Sequence, residues 1–524
     1  MIEITGNDLT IEDLNKIARL DTEVELSRSV LEQIQTSHEK ILHLVETTKS
    51  LYGINTGFGI FANKKISIKE SKKLNRNLIF SHAVGTGEPL PGEIVRAAMT
   101  IRINALAKGL SGVKLEIVST LLEMLNKGVI PQVPSKGSLG SSGDLCLLAQ
   151  LGLILLRDEL DAEEESGEAL FQGKLFSGKK AMQMAGIKRI EFTHKDGLAL
   201  INGATFSAAI AALCISDAHK LFNIADAAVA LSMEAMCGKS DAFHDGIQKA
   251  RNIKGQIEAA ANIRKIIEGS TFIDSLDQVQ DAYSIRCSPQ VHGAIRETGK
   301  FVWEIITNEI NAATDNPLII NDNEVISGGN FHGEPIGLAA DFLSIAVTEL
   351  GAISERRTFR LLDRNLSNGL PAMLVDILKG EGLNSGVMIL QYTAAALALE
   401  NQTLATPDSI KSLPTSANQE DHNANAFNAA MNLWKIIRNT TKILAIELYT
   451  ASRGIDLRKN INPSGEMGVG TQEIYNLVRD QFPYHADDIQ WRIELESFYK
   501  MLIQGSVLKD KIISILDTKK QKTR

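Results

Sequence analysis

The sequence predicts a mainly α-helical protein, a bundle of long helices with a smaller mixed region at its N-terminal end. Three features of the 524 residues support this fold class. Apolar residues recur every three or four positions over long stretches, only 12 prolines interrupt the chain, and glycine-rich turns concentrate in the N-terminal third. The apolar content of 44% is ordinary for a globular protein and allows a large buried core.

Helical periodicity dominates from about Leu198 onward. Segments 336–357 and 432–453 both space apolar residues three and four positions apart, which places them on one face of an α-helix. Segment 392–400, YTAAALALE, is apolar nearly all round. We therefore expect a helix that is buried on several sides, including at contacts between subunits.

Short helices alternate with glycine-rich turns before about residue 190. Segment 115–128 predicts one of these helices. The turns are expected where glycines cluster, at 52–59, 85–93 and 137–144. Because glycine allows tight bends, the backbone at these turns can approach a reacting group closely.

The chain therefore divides into three predicted parts. Residues 1–195 form an N-terminal region, residues 196–455 a central long-helix bundle, and residues 456–524 a C-terminal helical region. Within the first part, the charged segment 157–195 is expected to be a small surface elaboration.

Composition argues against a nucleic-acid-binding or secreted protein. The net charge is −8, whereas a nucleic-acid surface needs clustered Lys and Arg. The four cysteines (Cys146, Cys214, Cys237 and Cys287) lack the close spacing of a metal site or redox motif, and the first residues are acidic and polar rather than a signal peptide. We expect a cytoplasmic protein with reduced thiols.

One apolar stretch, Gly197–Ser216, has the length of a membrane span. It contains Asn202, Thr205 and Ser207, and acidic residues bracket it on both sides. We therefore expect a buried core helix and no membrane partner.

The segment GSLGSSGDLCLLAQL (137–151) carries the most specific chemistry. If a tight turn presses the Gly143 nitrogen against the Ser141 carbonyl carbon, a ring can close. Loss of water from that ring, and of the Ser142 hydroxyl, leaves an imidazolone with an exocyclic methylene, an electrophile that none of the twenty side chains supplies. The alternative is that Ser142 or Asp144 caps a helix that begins near Leu145.

Patterns for other cofactors are absent from the sequence. The ten histidines form no HxxxH or HxxEH pattern. Segment 173–180, GKLFSGKK, ends in Lys180 where a phosphate-binding loop needs Ser or Thr, and no apolar strand is predicted before it, so it is assigned to a surface turn. We expect neither a metal nor a nucleotide.

Nine motifs follow one another between about residues 50 and 455. They are YGINTGFG (52–59), NLIFSHAVGTGEPL (77–90), GSLGSSGDL (137–145), DGLALING (196–203), QDAYSIRCSPQVHG (280–293), ATDNPL (313–318), SGGNFHG (327–333), GLNSG (382–386) and TSANQEDH (415–422). In this order the motifs resemble the histidine/phenylalanine ammonia-lyase family.

The resemblance implies a prosthetic group, 4-methylidene-imidazole-5-one (MIO), formed from Ser141, Ser142 and Gly143. Asp144 is expected to assist that cyclisation or to orient its product. The resemblance also implies a mostly helical subunit, with the prosthetic-group loop in the N-terminal region, and a homotetramer whose active sites each draw on three chains. The partner molecule is a small amino acid.

Further site residues follow from the same motifs. Tyr52 resembles the base that removes the substrate's β-proton, and a tyrosinate, whose ordinary pKa is about 10, is a stronger base than a carboxylate. Arg286 resembles the residue that binds the substrate carboxylate, since a planar guanidinium can grip both oxygens. Phe331 resembles an apolar wall beside the electrophile.

Three polar residues, Asn202, Gln280 and Tyr283, resemble groups near the prosthetic group and the substrate's amino nitrogen. Such groups can stabilise the negative charge that develops on the imidazolone oxygen. Asn202 lies at an otherwise apolar helix start, where a hydrogen-bonded structural Asn is the alternative.

Two positions indicate the substrate. His82 matches the histidine and tyrosine branches of the family, and Glu420 matches the histidine branch, because phenylalanine and tyrosine enzymes tend to carry Gln there. A buried Glu can pair with an imidazole N–H but lacks a partner beside a phenyl ring. The resemblance thus implies conversion of L-histidine to trans-urocanate and ammonia. Taken without the motif, Glu420 and Asp421 are a solvated carboxylate pair.

Two departures from the family pattern keep other activities open. Ser141 stands where Ala is commonest, and NANAF (423–427) replaces the usual stretch after TSANQEDH. A tyrosine or other aromatic amino acid ammonia-lyase, or a 2,3-aminomutase, would share nearly every catalytic residue. A non-enzymatic helical scaffold descended from a lyase would instead keep an unmodified tripeptide.

Overall fold

The structure of the chain is a computed structural model that describes residues 1–45, 51–57, 64–321, 324–503 and 507–516. Taken over these residues, the chain folds as two units. The first unit comprises Met1–Ser216, Trp303–Asp341 and Pro407–Met431. The second unit comprises Asp217–Val302, Phe342–Thr406 and Asn432–Arg524.

Short helices and small sheets form the start of the first unit. The helices are α1 (Ile11–Arg19), α2 (Arg28–Val45), α3 (Ser71–His82), α4 (Gly92–Ala107), α5 (Leu115–Lys127), α6 (Leu145–Leu155), α7 (Gly178–Met184) and α8 (Asp196–Ile201). Helix α4 is buried almost along its whole length and forms much of the core of this unit.

The strands of the first unit pair over short stretches. Strand β1 (Ile2–Ile4) pairs in parallel with β2 (Val24–Leu26). The antiparallel pairs are β3 (Thr86–Pro89) with β5 (Pro134–Lys136), β4 (Ile130–Pro131) with β6 (Glu168–Phe171), β6 with β7 (Lys174–Ser177), and β8 (Leu318–Asn321) with β9 (Glu324–Ile326).

The remaining helices include the longest ones. They are α9 (Thr205–Met236), α10 (Asp245–Arg251), α11 (Lys254–Ile266), α12 (Tyr283–Arg286), α13 (Ser288–Glu309), α14 (Glu334–Leu362), α15 (Met388–Leu404), α16 (Ala426–Ile461), α17 (Val469–Gln481), α18 (Trp491–Ile503) and α19 (Val507–Leu516). The predicted fold class, mainly helical with long helices and a mixed N-terminal region, is confirmed.

The helices predicted from apolar periodicity are present. Segments 336–357 and 432–453 lie within α14 and α16, and segment 115–128 is α5 with its closing Gly128 at φ 72°. Only glycine adopts that left-handed conformation without strain, which explains why the helix ends there. Segment 392–400 lies within α15, which in the single chain buries one side and leaves Tyr392 and Leu399 exposed.

Segment 173–180 differs from its prediction as a surface turn. Strand β6 precedes it, the turn falls at Gln172–Gly173, and the segment itself forms β7 and the beginning of α7. The sequence prediction failed because the four residues of β6 are too few to give an alternating pattern of their own.

Two described helices, α9 and α14, are long and apolar enough to cross a membrane by length and composition alone. Within their most apolar windows, 78% and 72% of the residues are buried inside the protein. That burial is typical of core helices. The core helix expected over Gly197–Ser216 is buried, but the structure divides it between the end of α8 and the start of α9.

Candidate active site

A cavity of about 1280 Å³ in the first unit gathers most of the predicted site residues. Most of the residues that line it come from the four motifs before residue 210 and from three of those after residue 310. The predicted site residues among them are Tyr52, His82, Ser141, Ser142, Asn202, Phe331 and Glu420.

The tripeptide lies directly against the junction between α8 and α9. Gly143 has φ 85° and pairs with Gly203 as an isolated parallel bridge, and a Cβ on Gly143 would overlap the Gly203 backbone. The Asp144 nitrogen donates to the Gly203 carbonyl at 2.9 Å. Both the backbone conformation and the space therefore require glycine at position 143.

Asn202 holds the tripeptide from the same junction. Its Nδ2 donates to the Ser142 carbonyl oxygen at 2.7 Å, and its Oδ1 is buried without a hydrogen-bond partner among the described residues. Asn202 is the C-terminal cap residue of α8 rather than part of a helix start. Its side chain therefore contacts the predicted prosthetic-group loop directly.

Asp144 is fully buried behind the tripeptide. Its carboxylate accepts hydrogen bonds from the Ser138 hydroxyl at 2.7 Å, the Ser207 nitrogen at 2.8 Å and the Ser207 hydroxyl at 3.0 Å. Burial raises the pKa of Asp144, and these hydrogen bonds oppose that rise. Asp144 occupies the N-cap position of α6, but its side chain makes no capping hydrogen bond to that helix, and the Ser142 hydroxyl donates to Glu420 instead.

Glu420 faces the tripeptide rather than the solvent. The Ser142 hydroxyl donates to Glu420 Oε1 at 2.7 Å, and the Thr415 hydroxyl donates to Oε2 at 2.9 Å. A backbone bridge between Thr415 and Glu420 fixes this orientation. Asp421 is exposed, so the two neighbouring carboxylates have different surroundings.

The two departures from the family pattern meet in space. The Ala424 nitrogen, in NANAF, donates to the Ser141 hydroxyl at 2.9 Å. An alanine at position 141 could not accept this bond. The serine at the first tripeptide position thus ties the loop to the segment that follows Glu420.

His82 is the last residue of α3 and lies partly buried at the cavity. Its Nδ1 donates to the Leu78 carbonyl at 2.8 Å. In the neutral ring, Nε2 is then the nitrogen that can accept a hydrogen bond. Burial lowers the pKa of His82, while the nearby Glu420 carboxylate opposes that shift.

Tyr52 and Phe331 line the same cavity. Tyr52 lies in a turn in which Gly53 has φ 68°. Phe58 and Gly59, the last residues of the YGINTGFG motif, lie outside the described residues.

Gln280, Tyr283 and Arg286 lie in the second unit and are not among the described residues that line the cavity. Tyr283 is 70% exposed, and the Arg286 guanidinium lies 4.7 Å from the centre of its ring. Arg286 Nε is buried and has no hydrogen-bond partner in the described part of the chain. The cavity of the first unit thus gathers seven of the predicted residues, and these three belong to the second unit.

A buried ion pair anchors α12, the short helix that carries Tyr283 and Arg286. Arg357 Nη2 donates to Glu447 Oε2 at 2.8 Å, and both side chains are fully buried. Arg357 Nη1 donates to the Ser284 carbonyl at 3.2 Å. No sequence pattern points to this pair, because its members are far apart in the chain.

Further polar residues within the recognised motifs, to which no role was assigned from the sequence, also line the cavity. His332 Nε2 lies 3.2 Å from the His422 carbonyl, and the two rings stack at 6.1 Å. Asn316 accepts from the Gly328 nitrogen at 2.6 Å and so ties ATDNPL to SGGNFHG. Membership of these motifs was the signal that could have identified all three residues.

The chain is similar to known lyases over nearly its whole length. A family model described as aromatic amino acid lyase matches residues 9–480. A histidine ammonia-lyase from Caldanaerobacter subterraneus subsp. tengcongensis is 47% identical, with 97% of each chain covered.

Solved structures agree in fold. The crystal structure of histidine ammonia-lyase from Trypanosoma cruzi matches with a TM-score of 0.89 and 36% identity, covering 99% of this chain and 96% of that one. A tyrosine aminomutase from Streptomyces globisporus matches with a TM-score of 0.89 and 30% identity, covering 98% of each chain.

We expect His82 to titrate below its ordinary pKa of 6.5 in the folded protein. The unfolded chain then binds this proton more readily than the folded chain, so His82 costs stability as the pH falls through 6.5. Histidine C2-hydrogen exchange followed by mass spectrometry over a pH series measures the midpoint. The partly buried His219, whose pKa burial lowers to about 4, is the reference. A His82 midpoint at or above 6.5 contradicts the prediction.

Proposed function

The chain belongs to the aromatic amino acid lyase family, and from its cavity we propose that it converts L-histidine to trans-urocanate and ammonia. The hydrogen bond from the Ser142 hydroxyl to Glu420 carries this proposal. It places the tripeptide that supplies the electrophile next to the carboxylate that suits an imidazole ring.

The prosthetic group in this proposal is MIO, made from Ser141, Ser142 and Gly143. The surroundings of the tripeptide fit it, because Gly143 packs where no Cβ has room. Cyclisation removes the Ser141 carbonyl oxygen, so the Ser142 carbonyl remains as the imidazolone oxygen, and Asn202 already donates to it. MIO would supply an electrophilic methylene, which makes an amino nitrogen a better leaving group.

The protein's own side chains then bind the substrate and move its protons. Tyr52, which must be partly deprotonated to act, removes the β-proton. Arg286 grips the substrate carboxylate through two parallel N–H bonds. Asn202, Gln280 and Tyr283 surround the amino nitrogen and the imidazolone oxygen, where donors stabilise developing negative charge.

Glu420 and His82 select the imidazole side chain. The Glu420 carboxylate accepts an imidazole N–H, a bond that a phenyl ring cannot offer. Thr415 donates to Oε2 only, so once the Ser142 hydroxyl has left, a phenyl ring would leave Glu420 Oε1 without a hydrogen-bond donor, which costs binding free energy. Phe331 provides an apolar wall on the same cavity.

We further propose a cytoplasmic homotetramer whose sites are shared between chains. Gln280, Tyr283 and Arg286 are absent from the described lining of the cavity in their own chain. Tyr283 is largely exposed, which leaves it available to a neighbouring subunit. Exposed apolar residues on α15 add to the surface that an assembly would cover.

A tyrosine ammonia-lyase or a 2,3-aminomutase is the second candidate. The hydrogen bond from Ala424 to Ser141 favours this candidate. Ala424 belongs to NANAF, the segment that departs from the histidine branch, and it contacts the tripeptide directly. Both candidates need the same electrophile, so substrate and product tests distinguish them.

We expect Ser142→Ala to abolish activity on histidine, tyrosine and phenylalanine alike, by several orders of magnitude, because the methylene carbon comes from Ser142. Mature wild-type protein should be lighter than its sequence by two waters, about 36 Da, and the variant should lack that full deficit. Intact-mass spectrometry and the release of urocanate or cinnamates measure both. The matched control is Ser141→Ala, which keeps the backbone that cyclises. A wild-type mass without the deficit supports the unmodified scaffold instead.

We expect Glu420→Gln to lower kcat/KM for histidine by about 10- to 100-fold, the equivalent of one charge-assisted hydrogen bond. Turnover of tyrosine and phenylalanine should fall less or rise. Glu32→Gln, the same change at an exposed helix position, is the control. Equal losses on all three amino acids would remove Glu420 as the selector, and β-amino acid products would favour the aminomutase.

We expect co-expression of Ser142→Ala and Arg286→Ala chains to restore part of the activity that each variant lacks alone. Sites that combine Ser142 of one chain with Arg286 of another contain no substitution. Ser142→Ala with Tyr52→Phe is the control, because one chain's cavity contains both positions and mixing cannot rescue it. Activity of mixed oligomers purified through two different tags is the measurement. No gain with Arg286→Ala would argue that sites are not shared.

A further inference from the structure

Arg102, on α4, reaches the back of the junction that holds the tripeptide. The side chain is fully buried, and its Nη1 donates to the Ala199 carbonyl of α8 at 3.2 Å. Its Nη2 donates to the Thr205 hydroxyl at the start of α9 and lies 3.5 Å from the Thr314 hydroxyl. One guanidinium therefore bridges the end of α8 and the beginning of α9.

Gly203 lies between this guanidinium and the tripeptide. A Cβ on Gly203 would lie 2.5 Å from Arg102 Nη2 and 2.6 Å from the Thr314 hydroxyl. On its other side, a Cβ on Gly143 would overlap the Gly203 backbone. Arg102, Gly203 and Gly143 thus form a stack without a gap large enough for a methyl group.

We propose that Arg102 is a positioning residue for the self-cyclisation of Ser141–Gly143, a proposal that rests on the MIO proposed above. Ring closure needs the Gly143 nitrogen pressed against the Ser141 carbonyl carbon. The Asn202–Gly203 turn provides one side of that compression, since it contacts Ser142, Gly143 and Asp144. Arg102 keeps the turn from moving back.

The cyclisation balances without any other reactant. The Gly143 nitrogen bonds the Ser141 carbonyl carbon, and that carbonyl oxygen leaves as water with the amide hydrogens of Ser142 and Gly143. The Ser142 hydroxyl leaves as a second water with the hydrogen on its own Cα, which creates the double bond. Arg102 contributes no atom to either step, and its effect is on geometry alone.

The charge on Arg102 is maintained at neutral pH. Burial lowers its pKa to about 10, and the Asp315 and Asp144 carboxylates oppose that shift. Asp315 also forms a buried ion pair with Lys195. A guanidinium can hold Ala199 and Thr205 at once through its planar fork, which an apolar side chain or a lysine cannot do.

Arg102→Lys tests the proposal, with Thr205→Val as a second variant that keeps the guanidinium and removes one acceptor. The matched control is Arg96→Lys on the same helix, because Arg96 is also buried and donates to the carbonyls of Ile17 and Leu125. Intact-mass spectrometry after a pulse of synthesis follows the fraction of folded, size-selected protein that has lost two waters. Thermal unfolding of the same samples records stability separately.

We expect Arg102→Lys to slow the mass loss at least tenfold, Thr205→Val to slow it less, and Arg96→Lys to leave it unchanged at a comparable loss of stability. Wild-type rates of cyclisation in folded Arg102→Lys would overturn the proposal. If Arg102→Lys does not fold, a wild-type rate in Thr205→Val overturns it. Wild-type protein that never loses two waters refutes the proposed function instead.

Discussion

The close approach of two backbones, Gly143 against Gly203, is the constraint on which the site depends. Neither position has room for a Cβ, and both have positive φ. The contact fixes the tripeptide against the α8–α9 junction, and the buried Asp144 carboxylate binds the first turn of α9 behind it. The cavity lining is then assembled around a loop that cannot relax, because the protein interior on both sides is already filled.

The helical fold was predictable from the sequence, and seven of the predicted site residues line one cavity. Long amphipathic helices such as α14 and α16 leave a periodic signal, and family motifs name cavity residues directly. Local sequence patterns gave wrong or incomplete predictions where contacts between distant residues determine the structure. Asp144 takes the N-cap position of α6, but its carboxylate binds the start of α9 instead of the helix it precedes, and β6 was too short to be predicted.

The long-range contacts that hold the predicted site residues within each unit could not be predicted from the sequence. Arg102 and Gly203 are about a hundred positions apart, as are Arg357 and Glu447, and the spacing of such residues carries no periodicity. The same limit applies to Ser141 and Ala424, two departures from the family pattern that share one hydrogen bond. Only the folded chain reveals that they belong together.

The hydrogen bond between Ser142 and Glu420 also implies that cyclisation of the tripeptide precedes substrate binding. On the proposed chemistry, the hydroxyl that occupies Glu420 Oε1 in the newly folded chain is the group expelled as water. Before cyclisation, Glu420 Oε1 is therefore bound by the Ser142 hydroxyl. After cyclisation that hydroxyl is gone, and Oε1 is free to accept a hydrogen bond from the substrate. An unfinished site would hold its own serine where the imidazole belongs, so substrate would not compete with the assembly of the catalyst.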